Sequence, residues 1–248
     1  MKVGVFDSGV GGLTVARSLQ QSGCFSELLY YGDTARVPYG SKDSNTVTRY
    51  ALEAVEFFNG ADVDCLVVAC NTVSVTALEQ MQKFSNKPVY GVLEPGVMAL
   101  QQLQGIDTSA RVLIIATRST INSDAYQQQI RALGYNQVDA MPTPLFVPIV
   151  EEELYDGPIL QETFKHYFSK LEKPDVVLLG CTHFPLIAES ISDYFNGAKT
   201  IHSGEAMLAW LKQHLDLSAQ FESTPLHIIA TENVDAVKRT ATRWGLKL

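Results

Sequence analysis

Two stretches decide the fold: Asp64-Cys-Leu-Val-Val-Ala-Cys70 and Asp175-Val-Val-Leu-Leu-Gly-Cys181. Each is a short apolar run that opens on an aspartate and ends on a cysteine. Asn71-Thr72 follows the first and Thr182-His183 the second. An apolar run without polar alternation, rich in Val and Leu, reads as a strand buried on both faces, the mark of a parallel sheet. Similar runs predict strands at Lys2–Phe6, Leu28–Tyr31, Cys65–Ala69, Val89–Leu93, Val112–Ala116, Val138–Met141, Val176–Leu179, Lys199–His202 and Leu226–Ala230. Helical faces fill the gaps: Val73, Ala77, Met81 and Phe84; Tyr126, Ile130 and Leu133; Leu160, Phe164, Phe168 and Leu171; Val234, Val237, Ala241 and Trp244. Strand and helix alternate throughout, which is the α/β class with right-handed crossovers.

The two stretches also belong to a longer repeat. Asp64–Cys70 aligns with Asp175–Cys181 at an offset of 111, and Glu94 with Glu205 at the same offset. Asp7-Ser8 aligns with Thr117-Arg118-Ser119, and Tyr31-Gly32-Asp33 with Pro142-Thr143, both at 110. Two pseudo-symmetric parallel-sheet domains are therefore expected. Ligands of open parallel sheets bind beyond the carboxyl ends of the strands. Cys70 and Cys181 should then face one cleft from opposite sides.

With 248 residues, 46% hydrophobic and 19% charged, the chain can bury a core without staples. A net charge of −8 without a basic run argues against nucleic acid and anionic membranes as partners. No apolar run approaches a bilayer span, and Asp7 interrupts what would be a signal peptide's apolar stretch. The four cysteines have no CxxC spacing and no Cys/His cluster has zinc-ligand spacing, so a cytoplasmic protein with reduced thiols and no metal is expected.

Cys24 and Cys65 lack polar neighbours and read as core thiols. Cys70 and Cys181 each precede hydrogen-bonding residues at the start of an expected helix, where the helix dipole favours a thiolate. Opposed thiols suit a two-base task, one removing a proton from a carbon and the other delivering one to the opposite face. Asp7 ends a strand before Gly9, Gly11 and Gly12, so backbone can approach a ligand there. A nucleotide loop is disfavoured, because Thr14 stands where a dinucleotide fingerprint has its third glycine and no Gly-Lys-Ser/Thr ending is present.

The segments Gly4-Val-Phe-Asp-Ser-Gly-Val-Gly-Gly12, Tyr30-Tyr-Gly-Asp33, Val37-Pro-Tyr-Gly40, Ala69-Cys-Asn-Thr72 and Gly180-Cys-Thr-His-Phe-Pro-Leu186 occur together and in this order. In this the chain resembles the bacterial glutamate racemases along its whole length, in particular their short epsilonproteobacterial form. The resemblance implies cofactor-independent interconversion of L- and D-glutamate for peptidoglycan synthesis, without pyridoxal phosphate, metal or nucleotide. It implies Cys70 and Cys181 as the two catalytic cysteines, with Asp7, Glu152 and His183 as acid–base helpers. Asp7 and Ser8 would meet the substrate ammonium. Tyr39, Gly40, Asn71, Thr72, Thr117, Thr182 and His183 would bind its carboxylates, with Thr120 beside Thr117. His202 takes no role, since many relatives have Asp before the following Ser. The resemblance further implies a homodimer, a first domain of residues 1–92 plus 210–248, and a second of 93–209.

The motifs around the two cysteines contain no Lys or Arg, so carboxylate capture is expected to rest on backbone amides and hydroxyls. Rival readings are a two-cysteine racemase for aspartate or another amino acid, a thiol hydrolase using one cysteine with His183, and a non-catalytic binding protein.

Overall fold

The computed structural model describes residues 1–248. Its nine strands are β1 (Lys2–Asp7), β2 (Glu27–Gly32), β3 (Cys65–Val68), β4 (Val89–Gly91), β5 (Arg111–Ala116), β6 (Gln137–Pro142), β7 (Val176–Gly180), β8 (Lys199–His202) and β9 (Leu226–Ala230). All pairings are parallel, in one sheet of order β4-β3-β1-β2-β9 and a second of order β6-β5-β7-β8. Read from its β8 edge, the second sheet repeats the 4-3-1-2 order of the first, and β9 is the extra strand. The central strands β1, β3, β5 and β7 are buried almost throughout, as their unalternating sequences require.

The helices are α1 (Leu13–Gln21), α2 (Ser44–Gly60), α3 (Asn71–Thr76), α4 (Leu78–Phe84), α5 (Leu93–Gln101), α6 (Arg118–Asn122), α7 (Ala125–Ala132), α8 (Phe146–Glu151), α9 (Gly157–Phe168), α10 (Ala188–Tyr194), α11 (Ser203–His214) and α12 (Val234–Arg243). None is long and apolar enough to cross a membrane. Helix α11 packs on both α1 and α5 and so bridges the halves. The boundary expected at residues 209/210 falls inside this helix, which runs without interruption. A single core cluster draws on both sheets, including Val5 and Val67 from the first and Ile115 and Leu179 from the second.

Strand register corrects the first offset of the repeat. Lys2 N–H donates to Asp64, and Arg111 N–H donates to Asp175 at the equivalent place, so β1 and β5 are related by 109 residues. Asp33 N–H donates to Asp7 O as Thr143 N–H donates to Ala116 O. The counterpart of Asp7 is therefore Ala116, and that of Ser8 is Thr117. The offset grows by one residue across each of the next two strands, to 110 and then 111.

Two elements differ from the periodicity. Val73, Ala77, Met81 and Phe84 fall on two helices, α3 and α4, with a break at Ala77 (φ −128°, ψ −2°). Helix α3 reads Asn-Thr-Val-Ser-Val-Thr, and β-branched residues propagate a helix poorly. Its Ser74 hydroxyl instead ties it to the sheet, donating to Val68 O and accepting from Val92 N–H. Phe84, at the end of α4, is 66% exposed instead of core. Leu93, expected in a strand, begins α5.

Candidate active site

The carboxyl ends of β1, β3, β5 and β7 converge between the halves on a cavity of about 390 Å³. Ser8, Tyr39, Gly40, Cys70, Asn71, Thr72, Thr117, Cys181, Thr182 and His183 all line it. The two cysteines thus face one space from equivalent strand ends, and all four cysteines are free thiols. Asp7 lies behind the cavity wall, fully buried, its carboxylate accepting from Gly9 N–H at 3.0 Å and facing the Thr182 hydroxyl at 3.5 Å. Thr120 is buried beneath the lining and joins Thr117 (3.0 Å) and Thr72 (3.4 Å) in a hydroxyl triangle closed by the 3.0 Å Thr72–Thr117 contact.

On the Cys70 side, Sγ lies 3.4 Å from Ser8 Oγ. Cys70 is the N-cap of α3. Burial, then the neighbouring Asp7 carboxylate, push its thiol up to about 12, against the hydrogen bonds from Ser8 and the Val73 N–H. Burial likewise raises Asp7 above the usual carboxylate range, opposed by His183 and by N–H groups of Gly12 and Gly9. Asn71 is held by Tyr126, whose hydroxyl donates to Oδ1 at 2.6 Å, and by Ser203 at 3.3 Å.

On the Cys181 side, Sγ is 3.8 Å from His183 Nδ1, and His183 Nε2 is 2.9 Å from Glu151 Oε1. Burial disfavours charge on this imidazole. The hydrogen bonds and negative fields of Cys181 and Glu151 outweigh it and lift His183 to about 10. Cys181 does not open an α-helix: a turn closed by Phe184 N–H on Cys181 O leads into a 3₁₀ segment, Phe184–Ile187. Helix-dipole support for a thiolate therefore applies to Cys70 alone, and His183 takes its place at Cys181.

The glutamate at His183 is Glu151, not Glu152. Helix α8 presents Val147, Pro148 and Glu151 to the cavity on one face, and Glu152, a step of about 100° further round, lies outside the lining. The signal lay in the helical phase of 146–151, since Glu151 is four residues after Val147. Phe146 anchors the helix, meeting Phe164, Tyr167, Phe168 and Phe184 edge-on at centroid distances of 5.3–5.8 Å.

Arg118 belongs to the site as well, with no signal in either cysteine motif to mark it. It lines the cavity, so a fixed cation stands at the site despite its absence from the cysteine motifs. His202 lies elsewhere, near Thr200 and Glu205.

The loops around the cavity are set by close approach and by a buried carboxylate. A Cβ on Gly11 would stand 2.3 Å from Thr182 Oγ1 and 2.5 Å from His183 Nδ1, so the glycine loop of one half packs directly on the cysteine loop of the other. Thr14 Oγ1 reinforces that contact by donating to Thr182 O at 2.7 Å. The Tyr39-Gly40 lip is held by Asp33, which is fully buried and accepts from the Tyr39 hydroxyl, Arg36 Nε (2.7 Å) and Thr231 Oγ1 (2.9 Å). No group of three His, Cys, Asp or Glu side chains gathers in a metal-binding arrangement.

This arrangement has known counterparts. The family model for Asp/Glu/Hydantoin racemase matches residues 14–211. A glutamate racemase of Nitratiruptor sp. is 53% identical over 98% of this chain and 96% of its own. The crystal structure of the Campylobacter jejuni glutamate racemase superposes with a TM-score of 0.95 at 44% identity, covering 98% of each chain. That of the Francisella tularensis glutamate racemase, in complex with D-glutamate, gives 0.85 at 32% identity, over 99% of this chain and 95% of that one. With its two mirrored sheets, its paired cysteines and these full-length relatives, the chain belongs to the Asp/Glu/Hydantoin racemase family.

Proposed function

We propose that the protein interconverts L- and D-glutamate by a two-base mechanism that needs no cofactor. The observation that carries this is the presence of Cys70 and Cys181 at equivalent strand ends in the wall of one cavity. Glutamate lies between the sulfurs with its ammonium toward Asp7 and Ser8. Its carboxylates meet hydroxyls and backbone N–H groups from Asn71-Thr72 and Thr182, together with Tyr39-Gly40 and Thr117. One sulfur, as thiolate, takes the Cα proton, and the other, as thiol, returns a proton to the opposite face. The two cysteines have then exchanged protonation states, and no net proton is gained or lost.

Preorganised donors stabilise the charge developing on the α-carboxylate in a site screened from water. His183, steadied by Glu151, serves Cys181, and Asp7 serves Cys70. Circular dichroism of the protein mixed with L- and then D-glutamate should decay toward zero from both signs. Deuterium should enter Cα in heavy water without added cofactor. A requirement for pyridoxal phosphate, or exchange from one enantiomer only, would overturn the reading, and faster turnover of aspartate would reassign the substrate.

The same reading carries a cytoplasmic enzyme that supplies D-glutamate for peptidoglycan, in keeping with four free thiols. It also carries a homodimer. Val37 in the cavity wall and Leu145 beside the cavity-lining Pro144 are 44% and 47% exposed, an apolar surface available to a second copy. Light scattering on the purified protein tests this directly.

A further inference from the structure

Next to the candidate active site, and sharing Gly40, Ser41 and Arg118 with it, lies a second cavity of about 580 Å³. It too sits between the halves: Lys42 and Thr76 come from the first, and Arg118, Ser119 and Asn122 from the second. Its lining holds two cations, several hydroxyls and an amide, and no carboxylate. The carboxylates nearest in sequence are engaged elsewhere. Asp43 caps α2, accepting from the Thr46 N–H at 2.9 Å and from its hydroxyl at 2.8 Å. Asp124 faces Arg131 at 3.8 Å. Both Lys42 and Arg118 line the cavity, and neither is ion-paired to a carboxylate. On a chain of net charge −8, one cation from each half thus lines the same concave site, where their fields add.

We propose that this cavity is a second anion site, binding a small dianion, a dicarboxylate or a phosphate group, between Lys42 of one half and Arg118 of the other. The planar guanidinium offers two parallel donors to a pair of oxygens, and the ammonium serves as a point charge on a third. Ser119, Thr76 and Asn122 supply neutral donors around them. A ligand here spans the halves and touches the catalytic cavity through Gly40, where a Cβ would lie 2.5 Å from Thr117 Cβ. Arg118 is shared with the catalytic lining, but Lys42 lies outside it, so Lys42 variants report on this site and not on the racemase reading.

Calorimetric titration with inorganic phosphate at pH 8 tests it without any turnover. Wild-type protein should bind phosphate. Lys42→Glu should weaken binding by at least about tenfold, the low end of what focused charge contributes. Lys42→Arg should retain binding, and so should Ser8→Ala, which alters the catalytic cavity alone. Melting curves matching wild type would show that these substitutions leave the fold intact. Displacement of the phosphate by L-glutamate marks a dicarboxylate as the natural source, and joint occupancy marks a phosphate group. Absence of phosphate binding in the wild type, or equal binding by Lys42→Glu, overturns the site.

Discussion

Around Cys70 the ionisable company is Asp7 and, one layer further out, Asp33; around Cys181 it is His183 and Glu151. The strand register makes these differences positional. Ala116 stands where Asp7 does and Thr143 where Asp33 does, while Thr72 occupies the place of His183. One half therefore buries carboxylates at its strand ends, and the other puts an imidazole there. Thr143 even keeps a buried hydroxyl without a partner where Asp33 holds three. A twofold frame has thus been given two electrostatic faces. Asp7 opposes a thiolate at Cys70, whereas His183 offers a cation next to the Cys181 sulfur. A bound ammonium near Asp7 would offset the first of these, so the substrate itself helps to level the two sides.

The largest effect expected is the one that treats the halves alike. Cys70→Ser and Cys181→Ser should each lower racemisation by on the order of 10²–10⁴-fold, the range of a positioned acid–base group, while Cys24→Ser and Cys65→Ser stay near wild type. Appreciable turnover by either of the first pair would end the two-base scheme. Next in size, Glu151→Gln should slow turnover by about a hundredfold through loss of the His183 partner, with Glu152→Gln unchanged. Steady-state rates showing the reverse order would return the role to Glu152.

Smaller effects probe the two electrostatic faces separately. Asp7→Asn removes a negative charge from beside Cys70. Burial still raises the thiol, but by less than before, and each unit of fall in its pKa gives about tenfold more thiolate. Peptide-mapped alkylation by iodoacetamide at pH 8 should therefore accelerate at Cys70, and an unchanged rate would remove Asp7 from its field. The smallest effect concerns His183. Its folded pKa, about 10, lies above the unfolded value near 6.5. The stability it contributes is complete below pH 6.5 and is lost as pH rises toward 10. The melting-temperature gap between wild type and His183→Gln should narrow across that window, and a gap that widens would mean that the neutral ring is the bound form.

Much of this comparison is legible in the sequence. The runs located all nine strands to within two residues at each end; β1, β3, β5 and β7 are buried on both faces and leave no polar interruption, whereas the outer strands β6, β8 and β9 admit Asp139, Lys199 and His227. The aligned Asp-x5-Cys stretches located both thiols. What escaped depends on local geometry that periodicity does not carry. The Asp7 alignment slipped by one residue because the first two crossovers of the second half each carry one extra residue in a loop, where no side-chain pattern marks it. Glu151 and Glu152 are chemically identical, and only the rotation of the short helix α8, anchored by Phe146, distinguishes them. The break at Ala77 follows from β-branched residues whose hydrogen bonds go to the sheet. Arg118 lies in neither cysteine motif, and only the end of β5 at Ala116 brings it to the cleft.

The position of β9 bears on how the chain reaches this structure. Residues 111–202 contain all four strands of the second sheet in one uninterrupted stretch, with only sequence-local crossovers to close. The first sheet waits for β9, which pairs with β2, and Gln20 hydrogen-bonds Thr224 and Lys247 across separations of 204 and 227 residues. Long-range closures of this kind are slow, and a chain emerging from its N-terminus makes them last. The later-synthesised half is thus the one able to complete itself first. The half that carries Cys70 stays open along β2 until β9 arrives, exposing an unpaired edge that invites association with other chains.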